Sequence, residues 1–159
     1  MSIGFGSHLP VVKKVFDISE GPVLELGGGI FSTPHLHWAC FDTKRKLVTY
    51  DNELQYFAQI KAYENDYHKV HLVDDWDKID FKGHWGMALV DNHPNLKRKD
   101  QIRKLANNCD YIVVHDTERR WKHKYKYHEI YPLFKYRYDY TKYPVHTSVL
   151  SNLKDLSSL

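Results

Sequence analysis

The sequence predicts a single α/β domain of three layers, a mostly parallel sheet between two layers of helices, closed at its C-terminal edge by an antiparallel hairpin. Three observations predict it. Short apolar runs alternate with stretches of helical periodicity from residue 23 to residue 114, the pattern of parallel strands joined by helical crossovers. Residues 85–90, Trp-Gly-Met-Ala-Leu-Val, are continuously apolar, as a strand buried on both faces must be. Residues 134–143 instead alternate with period two, as an edge strand with one solvated face does.

Taken in order, residues 7–20 read as an opening helix, with Ser7 placed to cap it, Pro10 in its first turn and Leu9, Val12, Val15 and Phe16 on one face. Residues 23–33 then run a short strand into Gly27-Gly28-Gly29 just before a second helix. Glycines let this turn take unusual dihedrals and let a ligand approach the backbone, and the helix start offers unpaired N–H groups. Thr33 reads as the N-cap, with Pro34 at the first helical position. A dinucleotide-binding turn would read G-x-G-x-x-G. Gly27 and Gly29 fit its first two positions, but Ser32 stands where the third glycine is due. The other reading of the turn is purely structural.

Residues 46–51 form the second strand and end in Asp51, 24 residues after Gly27, close to the interval of about 20 at which an acid meets ribose hydroxyls. Residues 68–73 form the third, leading into Asp74-Asp75-Trp76. The fourth, 85–90, ends in Asp91-Asn92-His93-Pro94. Residues 96–108 have helical spacing through Leu96, Ile102 and Leu105 and stop at Asn107-Asn108. The fifth strand, 109–114, ends in His115-Asp116-Thr117-Glu118. In open α/β sheets ligands bind outside the carboxyl ends of the strands. Glu25, Asp51, Asp74 or Asp75, Asp91, His115 and Asp116 are therefore expected along one rim, each acid having a solvated strand-end carboxylate as its alternative.

Of the 11 histidines, His35, His37, His84, His123 and His128 read as structural or surface groups. His93 and His115 stand out because they lie beside Asp91 and Asp116, where a carboxylate fixes the tautomer and raises basicity. A zinc site has no support from spacing, since Cys40 and Cys109 are far apart and neither C-x-x-C nor H-x-x-x-H occurs around them.

Residues 119–143 carry 8 Lys or Arg and 7 Tyr against Glu129 and Asp139. Interleaved basic and aromatic residues contact phosphates and stack on bases, so nucleic acid is one candidate partner. The edge-strand pattern of 134–143 accounts for half of the signal, with Tyr143-Pro144 as a turn and 146–152 pairing back. Residues 119–131 then form a helix or lid over the site.

Length and composition fit one domain. The chain has 159 residues, 42% of them hydrophobic, with a net charge of +3, within the range of about 100–200 residues per domain. Two cysteines favour a reducing compartment. No run approaches the roughly 18 apolar residues of a membrane span, and Met1 leads into no signal-like segment. The expectation is a soluble, cytoplasmic protein.

The run Leu24-Glu25-Leu26-Gly27-Gly28-Gly29 resembles the first motif of class I S-adenosylmethionine-dependent methyltransferases, whose fold is this Rossmann-like sheet. The resemblance implies that Glu25 closes the first strand and that Gly27, Gly28, Gly29 and Ser32 face the methionine part of the cofactor. It places Asp51 and Asn52 at the ribose, Asp74 or Asp75 at the adenine amino group with Trp76 against the ring, and counts Asp91 among the cofactor-binding residues. Val90-Asp91-Asn92-His93, Asp100 in the next helix, and Val113-Val114-His115-Asp116 resemble small members related to the catechol O-methyltransferase and cephalosporin-hydroxylase groups. The likeness spans roughly residues 10–152.

Some members of those groups hold magnesium after the fourth and fifth strands, and the matching positions here are Asp91 and Asp116. Thr117 stands where the catechol-type enzymes have an amide ligand. A site without metal, in which His115, Asp116 or His93 is the base, explains the same residues. The implied activity is methyl transfer to an oxygen or nitrogen of a small molecule or polymer, under the 119–131 segment or in a site completed by another subunit. The competing readings are a cofactor-binding or nucleic-acid-binding module without activity, and a hydroxylase-like metal enzyme on the same fold.

Overall fold

The computed structural model describes residues 6–159. Along the chain run α1 (Leu9–Ile18), β1 (Val23–Leu26), α2 (Ser32–Thr43), β2 (Leu47–Asp51), α3 (Leu54–Ile60), β3 (His68–Leu72), β4 (Trp85–Val90), α4 (Arg98–Leu105), β5 (Cys109–His115), α5 (Arg119–Lys124), β6 (Tyr136–Tyr140) and β7 (Thr147–Ser151). The strands form one 7-stranded sheet in the order β3-β2-β1-β4-β5-β7-β6. The first five are parallel, and β7 runs antiparallel to both β5 and β6. Only the return strand of the hairpin therefore opposes the sheet.

Side chains leave a strand on alternate faces, and the core divides accordingly. Leu24, Leu26, Ala88, Val90, Ile112 and Val114 face Trp76, Phe81, Ile102 and Leu105 on one side. Val23, Leu47, Met87, Leu89 and Val113 face Val11, Val12, Val15 and Leu36 on the other. β4 is buried from Gly86 to Val90, whereas β6 alternates half-buried tyrosines with exposed Arg137 and Asp139, as its period predicts. Gly86 brings β4 against the loop after α1, where a Cβ would stand 1.6 Å from the Glu20 carbonyl oxygen. Among the described residues no helix is long and apolar enough to cross a membrane.

Several local expectations are corrected. His8, not Ser7, is the N-cap position of α1. Phe31 is that of α2, which leaves Thr33 inside the first turn, where its hydroxyl serves the glycine turn instead. The 96–108 helix is a 3₁₀ turn at Asn95–Lys97 followed by α4, which ends before the asparagines. The segment expected as a lid is exposed along most of α5 and buried in part beyond it. After the short α5 the chain makes two 3₁₀ turns, and Tyr125, Tyr127, Ile130 and Tyr131 pack into the core cluster that contains Trp76 and Ile102. Burial of these rings outweighs exposing them, so these tyrosines fill the core rather than offering their faces to bases or roofing the site.

Candidate active site at the carboxyl ends of the strands

A cavity of about 430 Å³ opens at the carboxyl rim, lined by the glycine turn and by residues that follow β2, β4 and β5. Its floor is the turn after β1. Gly27 has φ +88° and lies so close to the exit of β4 that a Cβ would stand 2.6 Å from the Asn92 nitrogen. The turn's N–H groups are all committed. Gly27 donates to the Tyr50 carbonyl at 2.8 Å, Gly28 to Asp51 Oδ2 at 2.9 Å and Gly29 to Thr33 Oγ1 at 2.9 Å. The three glycines thus offer a ligand close approach without hydrogen-bond donors of their own. That differs from the cradle of free N–H groups that phosphate sites use. Among the described residues, a Cβ at Gly29 would meet nothing within 4 Å.

Asp51 supports the turn from β2, its second oxygen accepting from the Glu53 N–H at 2.7 Å. It lines the cavity together with Glu53 and Tyr56. Each carboxylate oxygen retains acceptor capacity beyond these backbone bonds. Burial pushes the Asp51 carboxyl above its usual range, against the backbone N–H groups of Glu53 and Gly28.

Glu25 lies beneath the turn, not in the cavity. It is fully buried, and its Oε2 accepts from Thr33 at 2.9 Å and from Thr49 at 2.7 Å. Thr49 Oγ1 also lies 2.9 Å from His68 Nε2, His68 Nδ1 lies 3.0 Å from His37 Nδ1, and His37 Nε2 lies 2.8 Å from the Tyr67 hydroxyl. Burial raises the Glu25 carboxyl to about 7, the hydroxyls of Ser32, Thr49 and Thr33 opposing the shift. A proton held more tightly in the folded chain stabilises it fully below the unfolded value near 4.5, and that contribution is lost as pH rises through about 7. The shift corresponds to roughly 3 kcal/mol. Glu25→Gln keeps the shape and cannot titrate. The stability of the native chain minus that of the variant, from urea unfolding, should therefore fall between pH 4.5 and 7 by about 1.4 kcal/mol per unit. A difference that stays flat across this window would show that Glu25 is ionised throughout.

The opposite wall is built on Arg98, which is 3% exposed. Its guanidinium reaches Asp91 Oδ1 at 2.8 Å and Asp116 Oδ2 at 3.0 Å. It also donates to the backbone carbonyls of Asn92, His115 and Asp91. Asp116 has φ +57°, a left-handed conformation that Asp tolerates better than most residues. His115 Nδ1 lies 3.2 Å from Asp91 Oδ2 and its Nε2 lies 3.2 Å from Ser7 Oγ. Desolvation works against charging His115, but Asp91 and Asp116 prevail and raise its pKa. Asp91 is held down at about 2 by Arg98 and His115 despite its burial. Ser7, His115 and Asp91 have the connectivity of a nucleophile, base and acid. Ser7 is buried and lies off the cavity lining, so it orients the His115 ring.

The magnesium expectation is corrected by Arg98. A cation bridging Asp91 and Asp116 would need the space between their carboxylates that the guanidinium fills. Thr117, the third position, is buried and accepts from Ser148 at 2.9 Å. The residues do not fit magnesium.

Gly27, Gly28, Gly29, Ser32, Asp51, Asp91, His93, His115 and Asp116 thus line one cavity. His93 is exposed, its ring 3.1 Å from Asn95. The residues expected at the adenine go elsewhere. Asp74 is exposed, Asp75 accepts from the Asp77 N–H at 3.0 Å to cap a 3₁₀ turn, and the buried Trp76 donates to the His93 carbonyl at 2.9 Å. Asn52 is half-buried beside Asp51 and outside the lining. The sequence reading missed His8, Ile30, Phe31, Glu53 and Tyr56, which line the cavity, and Arg98 behind it. Glu53 had a signal, a second acid two residues beyond Asp51; the others had none.

No family model matches the chain, and no curated protein does. Solved structures do. The N-terminal domain of human METTL16 in complex with S-adenosylhomocysteine superposes with a TM-score of 0.61 at 10% identity, over 92% of this chain and 70% of that one. An rRNA methylase from Streptococcus thermophilus gives 0.59 at 12% identity, over 91% and 95%. The O-methyltransferase TomG from Streptomyces achromogenes, in complex with S-adenosylmethionine, gives 0.62 at 14% identity, over 92% and 78%. The fold is that of the class I S-adenosylmethionine-dependent methyltransferases.

Proposed function

We propose that this protein binds S-adenosylmethionine and transfers its methyl group to an oxygen or nitrogen nucleophile. One observation carries the reading: three glycines whose N–H groups are committed, a ribose-type acid and a histidine–carboxylate pair share a single cavity. A dinucleotide brings a pyrophosphate that wants free backbone donors, and the three glycines have none to give. A sulfonium cofactor needs close approach and a carboxylate for its ribose, which Gly27–Gly29 and Asp51 supply, with Glu53 beside Asp51 and the Tyr56 ring at the mouth for the adenine. Bound there, the cofactor supplies an activated methyl group. Alignment of the nucleophile in the cavity then does most of the catalytic work. With its Nε2–H given to Ser7, which fixes the ring, His115 takes the nucleophile's proton on Nδ1, where Asp91 stabilises the imidazolium. The apolar Ile30 and Phe31 on the lining favour an acceptor with an apolar body.

Titration calorimetry with S-adenosylhomocysteine and NAD tests the cofactor. The first should bind in the micromolar range, about −8 kcal/mol, and NAD far more weakly. Asp51→Ala should weaken binding by about 1.5–3 kcal/mol through loss of charge-assisted hydrogen bonds. His115→Asn should leave it unchanged while reducing methyl transfer to an accepted phenol, sugar or RNA by about 10²–10⁴-fold. Saturable NAD binding without any for the sulfur ligand would overturn the reading.

A further inference from the structure

We propose that His8, Asp91 and His115 form a binding site for one first-row divalent transition-metal ion, of the zinc or iron(II) class, on the wall of the cavity. One ligand-type atom from each of the three lies within 4.8 Å of the other two. All three residues line the cavity, so an ion held by them would keep positions open to water or to an oxygen of the acceptor.

The second, independent observation is His8. It is 4% exposed, and neither ring nitrogen has a hydrogen-bond partner among the described residues. Buried side-chain nitrogens are almost always satisfied, and an exception calls for an explanation such as an ion. Its ring centroid lies 4.5 Å from that of His115, which puts an unused imidazole beside the other two donors.

The His115–Asp91 spacing and the outer contacts agree. Two ligands about 2.1 Å from one ion, at angles between octahedral and tetrahedral, stand roughly 3.0–3.4 Å apart. His115 Nδ1 and Asp91 Oδ2 are 3.2 Å apart. Ligating imidazoles nearly always give their second N–H to a partner, and ligating carboxylates are themselves hydrogen-bonded. Here Ser7 Oγ is positioned to accept from His115 Nε2, and Arg98 holds the other oxygen of Asp91. Arg98 thereby closes the magnesium-type position and orients a ligand of the neighbouring one. Two imidazoles with one carboxylate select zinc or iron(II) over magnesium.

The ion's binding does not depend on the methyl-donor reading; only its role, holding the acceptor oxygen in place of the proton between His115 and Asp91, does. Protein stripped with a chelator is titrated with Co²⁺, a spectroscopic stand-in for Zn²⁺, and followed by absorption and by hyperfine-shifted imidazole NMR signals. We expect one equivalent, displaced by Zn²⁺ and not by millimolar Mg²⁺. The shifted signals should belong to His8 and His115, and His8→Gln and His115→Gln should each weaken binding by at least about tenfold. Absence of saturable binding, binding unchanged in both variants, or shifts assigned to the His123–His128 pair, whose rings lie 5.2 Å apart, would each overturn the proposal. If His8→Gln fails to fold, the assignment in the native chain decides. S-adenosylhomocysteine calorimetry on the same samples separates the two readings, since metal binding without cofactor binding sinks only the methyltransferase, and the converse sinks only the metal site.

Discussion

Replacing Arg98 with Met should cost about 3 kcal/mol of folding stability, the lower end of the range for breaking a buried ion pair from one side. The side chain is 4% exposed and ties two carboxylates together. Removing it leaves Asp91 and Asp116 as facing like charges and strips three backbone carbonyls of a donor. The value stays at the lower end because the two carboxylates keep 25% and 23% of their side-chain surface exposed, so water can screen part of the repulsion. Arg98→Lys should recover less than half, because an ammonium cannot reproduce a planar fork that serves both carboxylates and the carbonyls together. Urea unfolding of the three proteins measures this. A native-like midpoint for the Met variant would mean that the rim does not depend on the guanidinium.

Gly27→Ala should be nearly as damaging and should also abolish binding of S-adenosylhomocysteine. The residue's φ of +88° is a left-handed conformation that costs a non-glycine residue about 1–2 kcal/mol. The added methyl would lie 2.6 Å from both the Asn92 nitrogen and the Asp91 carbonyl carbon. Those are backbone atoms, which no rotamer change can move away, and such overpacking costs a further 1–3 kcal/mol or so. Relief requires the ends of β1 and β4 to separate, which carries Asp91 away from His115. Gly29→Ala is the control. Its Cβ meets nothing within 4 Å, so stability should change by no more than about 0.5 kcal/mol. Equal losses in the two variants would show that the turn's flexibility matters, rather than the packing of its first glycine.

The sheet was legible in the sequence because its central strands are buried on both faces, and continuous apolar runs such as 85–90 have few other uses. Asp51 was legible by its interval from Gly27, and His115 by its place at a strand end beside an acid. The adenine-side reading of Asp74 and Asp75 followed the same strand-end logic. Which acid faces the cavity, however, depends on how the chain turns after the strand, and here Asp75 is used to cap that turn. His8 was invisible because its partners are more than eighty residues away in the chain, brought to it by the packing of α1 on the sheet. Arg98 fell in a segment correctly read as helical, but periodicity says nothing of a side chain that reaches back to two strand ends. In residues 119–131 composition advertised a surface, while the fold uses the tyrosines as interior.

The buried chain from Tyr67 to Glu25 has a direction. Thr49 owns one hydroxyl proton. Given to an ionised Glu25, it obliges Thr49 to receive from His68 Nε2, so the His68 proton must sit there and its Nδ1 must receive from His37. His37 in turn keeps its proton on Nδ1 and receives from Tyr67 on Nε2. One charge beneath the glycine turn thus dictates the tautomers of two imidazoles and the rotor of a phenol packed against His37 and Phe41 of α2. When Glu25 takes up a proton of its own, that obligation lapses and every link is free to reverse, so the ordering of protons along the chain records the charge state of a carboxyl that never meets solvent.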